Sequence, residues 1–261
     1  MNRIDTFVGA LAIALAAATA HAEVEDVKSP RGETVRILVE KADSPFVTVV
    51  LFAGGDGGLE MSKAGEIHNL KGNFLLRTRR HFRSHGANTV VIDAPSDRHS
   101  LREFRDTEGH ARDVGAVIRH LKATLKLPVW VIGTSNGTTS AANAGVRLAA
   151  TADRPDGVVL TSTRMATTAI ATGVPDLDLA RITGPVLIAH HKSDSCFVTP
   201  PERMPGLQAA LKNAKPVKVL WYEGGSGIKG DACEAYHYHG FRGIETTVIA
   251  DIMAWIRNPA P

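Results

Sequence analysis

The chain has 261 residues, 44% of them hydrophobic and 22% charged, and its 30 Lys+Arg against 27 Asp+Glu give a formal charge of +3. That length supplies a core for one α/β domain. A balance so close to neutral argues against nucleic acid or an anionic surface as the main partner.

Residues 1–22 read as a signal peptide: Arg3 in a short polar start, an apolar run over 7–20, then Ala20-His21-Ala22 as a small-residue cleavage site. The run is Ala-rich and shorter than the roughly 20 residues a membrane-spanning helix needs. No second apolar segment approaches that length, so no membrane span is expected. The mature chain, residues 23–261, is expected to be a single domain, exported to the periplasm or secreted.

The first extended segments, 34–40 and 45–53, predict an antiparallel hairpin with its turn near Ala42-Asp43-Ser44. Next comes Gly54-Gly55-Asp56-Gly57-Gly58, a loop nearly free of side chains, whose backbone N–H groups can face an anionic oxygen. It lacks the Gly-Lys-Ser/Thr ending of a phosphate-binding P-loop. The periodicity predicts a helix over 74–84, with a basic run from Arg77 to Arg83 as its solvated face. A strand over 88–93 leads to Asp97-Arg98-His99-Ser100, where Arg98 would favour acidic substrates if the loop lines the pocket. Apolar residues at Val114, Val117, Ile118, Leu121 and Leu125 define one face of a helix over 107–125.

A strand over 128–132 then meets Gly133-Thr134-Ser135-Asn136-Gly137 and an Ala-rich helix over 138–150. Strand, G-x-S-x-G and helix is the order a nucleophile elbow requires, because the glycines remove Cβ atoms where the two backbones crowd. Further strands are predicted at 157–161, 185–190 and 217–222, with helices at 201–213 and 244–257. The irregular stretch 161–185 is too short for a lid domain. Continuous apolar strands alternating with helices imply a doubly wound, mostly parallel sheet with helices on both faces.

Working residues of such sheets gather at the carboxyl ends of the strands. Asp194 follows the strand over 185–190, where its carboxylate can orient a histidine ring. Beyond the last strand lie His237 and His239, both candidates for the base. His239 is favoured because Gly240 permits close approach and Phe241 can dock the loop. The order Ser135, Asp194, His239 is that of the α/β-hydrolases. Over nearly the whole mature chain the sequence resembles that superfamily, and its compact, capless form is most similar to the dienelactone-hydrolase-like and small esterase branches. A serine stands where typical dienelactone hydrolases carry cysteine.

The resemblance implies an esterase: Ser135 as nucleophile, His239 as base, Asp194 as its partner, and N–H groups of Asn136 and Gly55 as the oxyanion hole. A small acyl substrate and no cofactor or metal are expected. Cys196 and Cys233, the two cysteines of a chain addressed to an oxidising compartment, are expected to form a disulfide tying the Asp194 and His239 loops together. Three other readings stay open: an acyltransferase using the same residues, a non-catalytic binding protein, and a metal site built from His190, His191, Asp194, His237 and His239.

Overall fold

The computed structural model describes residues 22–227 and 230–261. The expected leader lies outside the described residues except for Ala22, which opens the first strand. Eight strands form one sheet: β1 Ala22–Lys28, β2 Thr34–Glu40, β3 Val47–Phe52, β4 Ala87–Pro95, β5 Val129–Ser135, β6 Gly157–Thr163, β7 Val186–His191 and β8 Val217–Tyr222. Their order is β1-β2-β4-β3-β5-β6-β7-β8, parallel from β4 through β8 and antiparallel at the β1-β2 edge.

The helices are α1 Phe74–Arg77, α2 Arg79–Ser84, α3 Glu108–Leu125, α4 Gly137–Arg147, α5 Met204–Ala210 and α6 Glu245–Arg257. Alternate residues of each central strand feed two cores. Val50 and Phe52 of β3 pack on the side of α3, α4 and α5, whereas Val49 and Leu51 pack with α1, α2 and α6. Every residue of β3 and β7 is buried. That explains why these strands read as unbroken apolar runs rather than alternating ones.

The expected hairpin between 34–40 and 45–53 is not formed. β4 lies between those strands, pairing antiparallel with β2 and parallel with β3. The hairpin partner of β2 is instead β1, through a turn in which Gly32 has φ of +88°. Residues 41–46 reverse the chain by crossing the start of β4 rather than by closing a tight turn, held by Ala42 N–H donating to Asn88 Oδ1 at 2.9 Å and Phe46 N–H donating to Gly86 O at 2.9 Å. β3 is too apolar on both faces to sit beside an edge strand alone. β1 was not legible because its sequence, AEVEDVK, is charged and largely exposed.

The helix expected over 74–84 is two short helices broken at Thr78, whose hydroxyl donates to Phe74 O at 2.7 Å. Its basic run is also not simply a solvated face. Arg77 turns inward, donating to Gly72 O and Gly240 O at 2.7 Å each and pairing with Glu245 at 3.0 Å. It thereby fastens the loop that carries His239 to the start of α1.

Candidate active site

The elbow is a consequence of its glycines. Ser135 ends β5 with φ of +53°, a left-handed conformation that costs a non-glycine residue about 1–3 kcal/mol. A Cβ on Gly133 would lie 2.3 Å from Gly137 O, and one on Gly137 would lie 2.1 Å from Phe52 O. Strand and helix backbones therefore touch at both positions. Gly137→Ala is expected to destabilise the fold by more than about 4 kcal/mol, because rigid backbone has to move. Urea denaturation checks this, and a midpoint within error of the wild type would contradict it.

Four strand ends meet above the sheet: the 54–58 loop after β3, Ser135 at the end of β5, Asp194 after β7 and His239 after β8. Gly54, Gly55, Leu70, Ser135, Tyr236 and His239 are among the residues lining a cavity of about 330 Å³ there. A Cβ on Gly54 would come 3.0 Å from Ser135 Cβ, so the loop lies directly against the serine. Asp56 does not face that point with its carboxylate free; its Oδ1 accepts from Gly58 N–H at 3.2 Å.

Asp194 and His239 are brought together. His239 Nδ1 lies 3.0 Å from Asp194 Oδ2, both residues being buried. The same oxygen accepts from the Thr199 hydroxyl at 2.9 Å, and Oδ1 accepts from Cys196 N–H at 3.0 Å. His239 and Ser135 line one cavity. The Ser135 hydroxyl itself makes no hydrogen bond among the described residues. Cys196 and Cys233 are bonded with a Cα–Cα distance of 4.6 Å, which couples the acid loop to the histidine loop.

His237 is not at this site; its ring packs edge-on against Tyr238 and beside Gly227. His190 Nε2 faces Thr199 O at 3.0 Å and His191 Nε2 faces Gly224 O at 2.9 Å. Among the described residues no group of His, Cys, Asp or Glu converges as a metal site. Arg98 stacks on Phe104, 3.6 Å from ring centroid to guanidinium carbon, away from the cavity lining. Thr199, Arg105 and Arg164 were missed by sequence reasoning. Each sits in a loop or at a strand end whose partners are distant in the chain.

Burial tends to raise the Asp194 carboxyl, but hydrogen bonds from His239 and Cys196 N–H and the nearby imidazoles hold it below the ordinary range. Burial lowers His190 to about 4 against the opposing pull of Asp194, and lowers His110, also facing Arg105, to about 3. Both histidines stay neutral in the fold, while an unfolded imidazole takes up a proton near pH 6.5. The unfolded chain thus binds more protons below that pH, and stability falls as pH drops. The loss should reach on the order of 2 kcal/mol per histidine by pH 5. Asp194 adds stability above the unfolded carboxyl value of about 3.9, lost as pH falls through its lower folded value. Thermal melts at pH 7 and pH 5 should differ, and His110→Leu should remove about half the difference, on the per-histidine linkage above. Superimposable melts would overturn the expectation.

No protein-family model matches the chain, and no curated protein matches it. Solved structures do share its architecture. An α/β serine hydrolase without lid from Xanthomonas campestris aligns with a TM-score of 0.55 at 15% identity, over 92% of this chain and 96% of that one. The Pyrococcus furiosus esterase Pf2001 aligns at 0.63 and 13% identity over 91% and 92% of the two chains. Dienelactone hydrolase from Anabaena variabilis aligns at 0.62 and 15% identity over 91% and 97%. At identities this low the likeness establishes the fold, and function has to be argued from the site.

Proposed function

On this lidless α/β-hydrolase fold, we propose that the protein is an exported serine hydrolase that cleaves carboxylic esters through an acyl-enzyme. One observation carries the reading: Ser135, in a strained elbow, shares a cavity with a histidine whose Nδ1 is held by a buried carboxylate. Ser135 Oγ attacks the acyl carbon while His239 Nε2 takes its proton, and Asp194 stabilises the imidazolium. N–H groups of Asn136 and Gly55 receive the charge on the carbonyl oxygen. The imidazolium then gives its proton to the departing alcohol, and water repeats the sequence on the acyl-enzyme. The structural neighbours, a serine hydrolase and an esterase among them, agree with this chemistry.

A cavity of about 330 Å³ without a covering domain suits a small acyl group or an ester presented on a larger molecule. A panel of p-nitrophenyl esters of increasing chain length, assayed with wild type, tests the reading. Turnover is expected to be highest for short acyl groups, and inertness toward every member would reject it. Export is supported by the leader-like start and by the disulfide, since such bonds persist in oxidising compartments. An exported mature chain beginning at Glu23 is the expected product, read by intact mass.

The disulfide holds Asp194 against His239 through loops of otherwise irregular backbone. Reducing it should lower kcat at denaturant concentrations where the fold persists, and should cost about 4 kcal/mol of global stability in the chain-entropy model. Full activity with both thiols titrated as free would contradict the link.

A further inference from the structure

The loop after β3 is fixed by its carbonyl groups. Arg105 donates to Ala53 O at 2.9 Å and Gly54 O at 3.4 Å, Asn136 Nδ2 to Gly55 O at 2.8 Å, and Leu101 N–H to Asp56 O at 2.7 Å. Four consecutive carbonyls are thus engaged. The N–H groups of Gly55, Asp56 and Asn136 donate no hydrogen bond among the described residues. In a trans peptide the C=O of one residue and the N–H of the next point in opposite directions. Engaging Gly54 O and Gly55 O therefore aims the N–H groups of Gly55 and Asp56 away from those donors.

Two of the donors trace back to buried arginines. Arg105 is 3% exposed and also donates to the Ser140 hydroxyl at 2.8 Å; Arg164 is 2% exposed. Arg164 donates to Asn136 Oδ1 at 2.5 Å, which orients the amide that holds Gly55 O. Its other amino group donates to Thr168 and Ala171 O, and its Nε is buried without a partner. The charge of Asp56 acts on Arg105, and among the described residues neither Arg105 nor Arg164 forms a salt bridge with a carboxylate. Burial lowers Arg105 to about 9, which leaves it protonated at neutral pH. Removing a guanidinium from water without a paired anion is costly. Arg105 reaches the carbonyls of Ala53 and Gly54, next to Gly55, and Arg164 reaches the side chain of Asn136, next to Ser135. A Cβ on Gly57 would stand 2.3 Å from Arg105 Nη2, so that glycine leaves room for the side chain.

We propose that Arg105 and Arg164 are positioning residues for the oxyanion hole: they clamp the carbonyls of residues 53–55, directly or through Asn136, so that free N–H groups face the tetrahedral oxyanion, and their positive charge favours it. This rests on the acyl-enzyme reading above. Neither arginine touches the substrate. Arg105 acts through the backbone of residues 53–54 and Arg164 through the Asn136 side chain.

Arg105→Lys and Arg164→Lys keep a charge but lose the planar fork, and Asn136→Ala cuts the link to Gly55 O with both arginines still present, although Arg164 loses one acceptor. Each should lower kcat per organophosphate-titrated serine by about ten- to a hundredfold, short of the full loss of a direct oxyanion donor, with KM changed less than about threefold. The inhibition constant of a trifluoromethyl ketone, which forms the tetrahedral adduct, should rise by the same factor as kcat/KM falls. A merely structural role would lower the fraction of titratable serine and leave kcat per site intact. Undiminished kcat per site in Asn136→Ala and in whichever lysine variants fold overturns the inference and leaves the hydrolase reading standing. Wild-type protein inert to every ester, with Ser135 unlabelled, overturns both.

Discussion

Ser135→Ala is expected to reduce ester hydrolysis by about 10⁴- to 10⁶-fold in kcat while leaving the protein folded. The substitution removes one oxygen from a residue that makes no side-chain hydrogen bond among the described residues, so no buried partner is orphaned. Alanine at φ of +53° carries the same backbone strain as serine, and the melting temperature should be unchanged or slightly higher. His239→Ala should fall to a similar residual rate, and the double variant no further, because nucleophile and base act as one unit. Loss of stability in His239→Ala is expected as well, since Asp194 would keep its charge in a buried site with one donor fewer. The measurements are kcat on the best short-chain ester and thermal melts of the four proteins. Ser135→Ala retaining more than about a tenth of wild-type kcat, far above the residual rate left when such a nucleophile is removed, would remove the serine from the mechanism.

Asp194→Asn is the second large effect, and its reason lies in proton directions. Asp194 Oδ2 receives the Thr199 hydroxyl at 2.9 Å and His239 Nδ1 at 3.0 Å, while Oδ1 receives Cys196 N–H at 3.0 Å. A carboxylate accepts at both oxygens; an amide accepts at one and donates at the other. If the amide oxygen stays with Cys196 N–H, the NH₂ faces Nδ1 and drives the imidazole into the tautomer that carries its proton on Nε2. That ring has no lone pair for the Ser135 proton. A fall of about 10⁴ in kcat follows from the same tautomer argument in serine hydrolases generally. The disulfide and the Thr199 contact should keep the fold, so organophosphate labelling of Ser135 should slow in parallel with turnover. Normal kcat in Asp194→Asn would show that the acid does not set the ring's tautomer.

Much of this was legible in the chain. Apolar strands alternating with helices fixed the class of fold, since a sheet buried on both faces leaves no polar alternation to read. The G-x-S-x-G pentapeptide between strand and helix located the elbow, because only glycine fits where Gly133 and Gly137 touch backbone. Asp194, His239 and the Cys196–Cys233 pair were placed from their order along the chain, and the structure brings the first two within 3.0 Å and joins the last two.

Strand pairing was not legible in the same way. Whether β2 turns back on β3 or lets β4 enter between them depends on which neighbour buries more apolar surface, a comparison made across some fifty residues rather than within a turn. Which of His237 and His239 lies against Asp194 is likewise decided by packing, and it is His239. The arginines were the least visible. Arg77, Arg105 and Arg164 look like ordinary surface charges in the sequence, yet Arg77 ties down the histidine loop, Arg105 is buried against the loop beside Ser135 and Arg164 is buried against Asn136. Local pattern determines elements and motifs because backbone sterics and periodic burial act over a few residues. Which charge is taken out of water, and what its donors hold, is decided only when distant segments pack, because the partners exist only then.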